Sequence, residues 1–286
     1  GTPTLIGSHA LTQILAGVKE HFPMAEDVEI TTEANPDSVD ARMLAELREG
    51  GFNRISFGMQ SVAPGVLATL QRTHTAGASE EAAKLARQAG FDHVNLDLIY
   101  GTPGETDSDV RDSVNACIDS GADHVSAYSL IVEPGTPMSR AVKSGALPPP
   151  DEDECADRYN IIDSMLQGAD FNWYEVSNWA KPGGKCEHNQ AYWTNANWWG
   201  IGPGAHSHLN GRRWVNHKHP ATYAQALSAG ESVQAESEEL TPEQIHVETV
   251  MLALRTRSGL DTDELNSEEV NRAKVLAGQG LIHAQG

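Results

Sequence analysis

Arg54-Ile55-Ser56-Phe57-Gly58-Met59-Gln60 alternates strictly, with Ile55, Phe57 and Met59 on one side and Ser56, Gly58 and Gln60 on the other. A period of two marks a β-strand whose two faces meet different surroundings. The pattern recurs on either side in the sequence. In 28–33, Val28 and Ile30 alternate with Glu29, Thr31 and Glu33; in 94–99, Val94, Leu96 and Leu98 alternate with Asn95, Asp97 and Ile99. Parallel strands covered by helices on both faces read as nearly continuous apolar runs, and a closed barrel fills its interior with branched apolar side chains. The alternation therefore predicts strands over 28–32, 54–59, 93–99 and 124–132 whose polar faces line an open or partial barrel, with room in the lumen for water and ligand. A closed barrel with polar-lined packing is the plainer alternative.

Between these strands lie helical patterns. Leu11, Ile14, Leu15, Val18 and Phe22 form an apolar stripe at helical spacing. Asn35-Pro36-Asp37 offers an N-cap with proline at the first helical position, and Thr106 with Asp109 three residues on has the form of a capping box. Strand–helix–strand repetition at roughly 30 residues per unit signals βαβ units and a parallel sheet. The fold class expected is α/β, a partial barrel over 1–170. A Trp- and His-rich segment over 171–219 closes it, and a small helical, winged-helix-like domain occupies 220–286. The acidic, proline-rich 147–154 is a linker into a helix over 155–166, and the last domain contributes helices over 241–255 and 264–277.

Composition narrows the function. Twenty basic against 40 acidic residues give a net charge of −20, which disfavours a phosphate-backbone partner, since nucleic-acid affinity depends on Lys and Arg neutralising phosphates. No apolar run approaches the roughly 20 residues of a membrane helix, so no integral membrane segment is expected. Cys117, Cys155 and Cys186 are odd in number and far apart. They do not make a disulfide framework, and Cys117 and Cys155 fall on apolar stripes as core residues. No secretory signal is visible, and a cytoplasmic protein is expected.

Functional residues of parallel α/β folds gather at the C-terminal ends of strands. Glu33, Gln60 and Asp97 stand at or near such ends, and Arg72 follows the second strand closely. Together they offer a carboxylate for an ammonium group, a guanidinium for a carboxylate, and Asp and Gln for sugar hydroxyls. An amino acid joined to a nucleoside needs those partners; each residue singly is an ordinary loop polar group. A second concentration follows: all six tryptophans lie between Trp173 and Trp214, with His188, His206, His208, His217 and His219 in or beside them. Aromatics with histidine suit a large flat ligand with a metal at its centre, and they equally suit the packing of one domain on another. His206-x-His208 and His217-x-His219 admit zinc but lack the spacing of structural zinc sites. Gly200-Ile201-Gly202-Pro203-Gly204 lacks the strand–turn–helix context of a dinucleotide fingerprint.

Taken in order, these motifs resemble a known family. Gly1-Thr2-Pro3-Thr4 resembles the end of the GGGTP motif of radical S-adenosylmethionine (SAM) proteins. TTEANPDSV (31–39), RISFGMQS (54–61), LQRTHT (70–75), NLDLIYGTPGET (95–106) and SAYSLIVEPGTP (126–137) follow as in the oxygen-independent coproporphyrinogen III oxidase group. YEVSNWAKPGGKCEHNQAYW (174–193) and GIGPGAHS (200–207) resemble its HemW-type haem-chaperone branch. The resemblance covers essentially the whole chain.

It implies a six-stranded radical SAM barrel open at the side, with its first two strands outside this sequence. It implies that Gly1 and Thr2 approach the methionyl end of SAM, that Glu33 takes the ammonium and Arg72 the carboxylate, that Gln60 and Asp97 hold the ribose, and that the backbone at Ile131 meets adenine. His188, Asn189, Tyr192 and Trp193 correspond to the branch's haem-binding pattern, which favours the ligand reading of the Trp/His segment. The CxxxCxxC loop that ligates the family's [4Fe-4S] cluster is absent and is expected upstream of Gly1. The function implied is haem binding and delivery to acceptor haemoproteins. The alternative is an oxidase that decarboxylates porphyrinogen propionates through a 5′-deoxyadenosyl radical; whether the chain is an enzyme stays open at this point.

Overall fold

The computed structural model describes residues 2–72, 75 and 77–283. It divides into two compact units, Gly1–Lys185 and Cys186–Gly286.

The first unit opens with a 3-10 turn, Pro3–Ile6, and helix α1 (Ser8–His21). There follow β1 (Thr31–Ala34), α2 (Ala41–Gly50), β2 (Arg54–Gln60), α3 (Pro64–Thr69), α4 (Ala78–Gln88), β3 (His93–Tyr100), α5 (Asp107–Asp119), β4 (His124–Ser129), α6 (Pro137–Lys143), α7 (Glu152–Gly168), β5 (Asn172–Glu175) and β6 (Asn178–Ala180). The six strands form one sheet in the order β1-β2-β3-β4-β6-β5. The first four are parallel and in sequence order, the arrangement that helical crossovers impose. β6 then runs antiparallel to β4, and β5 antiparallel to β6.

The apolar half of each alternation is the core. Ile55, Phe57, Met59, Val94, Leu96, Leu98 and Val125 are buried with Leu44 and Leu47 of α2, Val110, Val114 and Cys117 of α5, and Ile162 and Leu166 of α7. The contribution of α4 is Ala82, Ala83 and Ala86, whose small side chains let its backbone lie close to the sheet. The capping box Thr106/Asp109 starts α5 as its sequence predicts.

Three departures from the sequence reading have local causes. β1 begins at Thr31, not Val28, because the Asn53 carboxamide replaces the ladder there: it accepts from Ile30 N at 2.7 Å and donates to Val28 O at 2.9 Å. β4 ends at Ser129 instead of Val132, and residues 130–133 run outside the strand into the Pro134-Gly135 turn. The β5–β6 hairpin was not foreseen, because strands of four and three residues are too short to show a period. It is held by side chains: Asn178 donates to the Glu175 carboxylate, and Trp179, wholly buried, donates its Nε1–H to Asp163 at 2.8 Å.

The second unit comprises α8 (Glu187–Trp193), β7 (His206–Leu209), β8 (Arg212–Asn216), α9 (Pro220–Ala229), β9 (Gln234–Glu239), α10 (Pro242–Ala253) and α11 (Ser267–Gly278). The two helices expected beyond residue 240 are present, each opened by a capping box, Thr241/Gln244 and Asn266/Glu269. Beside them is an antiparallel sheet, β7-β8-β9. β9 is nearly all polar and pairs through charge: Arg213 of β8 meets Glu238 directly opposite and Glu248 of α10, each at 2.8 Å. The 171–219 segment is thus shared, giving β5 and β6 to the first unit and α8, β7 and β8 to the second. Among the described residues no helix is long and apolar enough to cross a membrane.

Candidate functional site

The polar faces of β1 to β4 share one side of the sheet. Register sets Glu33 beside Ser56 and Gly58 beside Asp97, and places Asn95 beside His124 and Asp97 beside Ser126. Asp97 accepts from Ser56 Oγ at 3.0 Å and from Asn95 Nδ2 at 2.8 Å. Burial pushes its carboxyl above the ordinary carboxylate range; these hydrogen bonds pull it back, and the charge of Glu33 adds to the rise. Glu33 itself is exposed.

Gln60 ends β2 with a φ of 66°, a left-handed conformation rare outside glycine. The register of β2 against β3 slips at this point, between Gly58 and Gln60. A bulge re-aims a side chain, and Gln60 is 8% exposed as a result. Gly58 leaves room for this side chain, since a Cβ there would stand 2.9 Å from Gln60 Nε2.

The remaining expected residues lie around the C-terminal ends of these strands. Thr2 precedes the 3-10 turn, which comes beside the end of β1 through a 3.2 Å hydrogen bond between the Thr4 and Ser38 hydroxyls. Arg72 is exposed in the loop after α3; Asp37, just past β1, accepts from Thr75 N at 3.1 Å and draws that loop alongside. Ile131 follows β4 and is 74% exposed. Gly1 lies outside the described residues.

The sequence reading missed the groups beneath Asp97. His124 is buried with both ring nitrogens engaged, Nδ1 to Asn95 Oδ1 at 2.6 Å and Nε2 to the Tyr174 hydroxyl at 2.8 Å. Burial, then the nearby Arg54 charge, lowers its pKa to about 3, so the ring is neutral. Arg54 forms the floor: it is 1% exposed, pairs with Glu29 at 2.8 Å and donates to the carbonyls of Gly184 and Lys185. Tyr128, also on this face, has its hydroxyl pKa pushed to about 12 by burial and by the charges of Asp97, Glu175 and Glu33. The alternation His124, Ser126, Tyr128 in HVSAYS carried the signal.

In the second unit, α8 puts His188 and Tyr192 one turn apart, and His188 Nε2 meets the Tyr192 hydroxyl at 2.8 Å. Tyr192 packs edge-on against Trp198 at 4.9 Å, and Trp198 lies 4.9 Å from His208. Trp198 and His208 also exchange two backbone hydrogen bonds. His188 and Tyr192 are exposed, and Asn189 and Trp193 are partly covered. The tryptophans therefore divide. Trp179 and Trp173 pack in the first unit and Trp214 is buried in the second, while Trp193 ends α8 and Trp198 and Trp199 follow it in sequence.

The Radical SAM superfamily profile matches residues 1–117. The heme chaperone HemW of Mycobacterium tuberculosis is 49% identical over 286 residues, covering all of this chain and 73% of that protein. The chain belongs to the HemW family of radical SAM proteins. The HemW of Bacillus subtilis is 33% identical over 293 residues, covering 99% of this chain and 77% of its own length. The Escherichia coli HemW is 37% identical over 232 residues, covering 79% and 60%. Among solved structures, coproporphyrinogen III oxidase (HemN) of Escherichia coli superposes with a TM-score of 0.85, covering all of this chain and 71% of that one. At 22% identity this likeness speaks to fold alone.

The superfamily implies SAM and a [4Fe-4S] cluster. The chemistry on the polar face of the first unit fits SAM: carboxylates and a carboxamide stand at or near the strand ends. Among the described residues no three His, Cys, Asp or Glu side chains converge, and Cys117 is wholly buried in the core with its thiol pKa raised by burial. The zinc reading of the four histidines fails the same test. For haem, the exposed imidazole of His188 is an iron ligand of the right kind, and the aromatic rings next to it are surfaces of the kind that flank a porphyrin.

Proposed function

We propose that this chain is the SAM-binding and haem-binding body of a haem chaperone that passes haem to acceptor haemoproteins. The observation that carries the reading is 49% identity, over the whole of this chain and 73% of the relative, to a protein named as a heme chaperone, supported by the exposed His188–Tyr192 pair on α8. Haem is the cargo. His188 supplies the imidazole for its iron, and Asn189, Tyr192 and Trp193 border the porphyrin. The oxidase alternative draws only on likeness of fold.

On the same reading SAM is held on the polar face of β1 to β4. Glu33 takes its ammonium, Arg72 its carboxylate, Gln60 and Asp97 its ribose hydroxyls, the backbone at Ile131 its adenine, and Gly1 and Thr2 its methionyl end. Supporting this are the strand-end positions of Glu33 and Gln60, and the acceptor character of Asp97 beneath two internal donors. SAM, when bound, would supply a sulfonium whose C–S bond reduction can cleave; this chain's part would be to bind and orient it.

The test is a haem titration followed by mixing with apomyoglobin. A Soret band that forms on this chain and then moves to the acceptor supports the chaperone. Failure of haem to bind, or retention against excess acceptor, counts against it.

A further inference from the structure

Beneath Asp97 the hydrogen bonds run in one direction. Asn95 sends Nδ2 to both Ser56 Oγ and Asp97 Oδ1, each at 2.8 Å. The reverse orientation of that amide would set a carbonyl oxygen against a carboxylate oxygen, so Asn95 Oδ1 faces the other way. There it accepts from His124 Nδ1 at 2.6 Å and from Ser126 Oγ at 3.3 Å. His124 therefore carries its proton on Nδ1. Its bare Nε2 accepts from the Tyr174 hydroxyl at 2.8 Å. The chain of donors reads Tyr174 to His124 to Asn95 to Ser56 to Asp97, linking β5, β4, β3 and β2.

We propose that Asn95 and His124 are positioning residues that lock Asp97 as a two-oxygen acceptor for the vicinal hydroxyls of a ribose. Asp97 takes Asn95 at Oδ1 and Ser56 at Oδ2, with Ser126 also hydrogen-bonding the carboxyl, and keeps its remaining lone-pair capacity for a ligand. With both oxygens pinned, the carboxylate cannot rotate to follow a single hydroxyl. A cis-diol meets two fixed acceptors, whereas a deoxyribose leaves the ligand-facing lone pair of one of them unfilled. Loss of a partner at a site built to hydrogen-bond is the strong form of discrimination. His124 acts at a distance: its neutral ring, unable to take up a proton near neutral pH, holds Asn95 in the one orientation that donates to Asp97. The inference rests on the SAM reading above and adds its selectivity for the sugar.

The probe is S-adenosylhomocysteine and its 2′-deoxy analogue, titrated calorimetrically into this chain. Wild type is expected to prefer the ribose form by at least tenfold. His124→Ala lowers that preference to about twofold, and His124→Asn restores most of it, because the asparagine Nδ2–H replaces the Nδ1–H. Ser56→Ala, a substitution small enough for the fold to tolerate, removes the donor at Oδ2 and lowers the preference in the same way. A preference that survives both His124→Ala and Ser56→Ala overturns the positioning role while leaving the SAM site intact. Absence of binding by wild type overturns the SAM reading itself, and the inference with it.

Discussion

Gly58 and Gln60 are coupled through space that a methyl group would fill: a Cβ on the first would stand 2.9 Å from Nε2 of the second. Gln60 holds a φ of 66° at a bulge directly beside Asp97's strand. Strain of this kind persists where the surrounding structure enforces it, and it gathers at functional sites. Gly58→Ala displaces the end of a flexible side chain, so its cost in stability is small, under about 1 kcal/mol. S-adenosylhomocysteine affinity should nevertheless fall several-fold. Gln60→Gly should remove the strain, on the order of 1 kcal/mol, while weakening the same ligand. Urea titration paired with calorimetry reads both quantities, and unchanged affinity in both variants takes Gln60 out of the site.

Arg54 is the residue on which the floor of the sheet depends. Its guanidinium is 1% exposed, faces Glu29, and donates to two backbone carbonyls. Removing one partner of a buried pair strands the other's charge, which costs about 3–5 kcal/mol. Glu29→Ala should therefore destabilise the first unit by that order. Arg54→Met, Glu29→Met together should lose less than the single change, and a double variant worse than the single would refute the pairing argument.

Arg72 and Glu33 are exposed and contribute little to folding. Replacing either with alanine should weaken S-adenosylhomocysteine by roughly 1.5–3 kcal/mol, the range of a hydrogen bond to a charged group. Cys117→Ala, in the core, should leave affinity unchanged. Equal affinity in all three variants and wild type would remove Arg72 and Glu33 from the clamp.

His188→Ala should reduce haem retention and shift or abolish the Soret band. Tyr192→Phe keeps the ring against Trp198 but removes the hydroxyl that meets His188 Nε2, so it should shift the band with haem still bound. Neither change should affect S-adenosylhomocysteine, because no residue of α8 is among those proposed to hold it. If His188→Ala loses stability while binding haem as wild type does, the histidine is a packing residue.

His124 gives stability a pH dependence of known sign. Its folded pKa of about 3 lies below the ordinary 6.5, so between those values the unfolded chain holds a proton that the folded chain does not. Stability is therefore lost as pH falls through that window, by at most about 1.4 kcal/mol per pH unit. Asp97, with its raised pKa, acts in the opposite sense. The difference between wild type and His124→Asn isolates the imidazole. Wild type should lose stability faster than the variant between pH 6 and pH 4, and parallel curves would contradict the buried neutral ring.

The alternation of RISFGMQ, with its relatives around Asn95 and Glu29, was enough to read the parallel strands, and it is the ground on which a ligand is proposed for their polar face. It could not show that Ser56, Asn95 and His124 form one chain of donors, because hydrogen bonds between strands depend on register, and register is a property of the packed sheet. The β5–β6 hairpin escaped for a related reason: Glu175 and Asn178 hold it by a side-chain contact three residues apart, leaving no periodic trace. The Trp/His segment was legible as a concentration and illegible as a division. Nothing in composition separates Trp179, sealed in the first unit's core, from Trp198 against Tyr192 in the second. The resemblance of HNQAYW to a family pattern supplied what composition lacked.

Lys181-Pro182-Gly183-Gly184-Lys185 looks on paper like a place for a protease to cut between the two units. A protease must draw several residues of its substrate into an extended strand, and this segment is not free to go. Lys181 N is bonded to Asp123 O at 2.9 Å, Gly184 sits so close to Asp123 that a Cβ would touch its carbonyl at 2.8 Å, and Arg54 holds the last two carbonyls. The Lys185 ammonium, the group trypsin would seek, lies over the Tyr174 ring at 5.8 Å. The junction is thus armoured where it is richest in glycine, and digestion that begins there would report the release of Arg54.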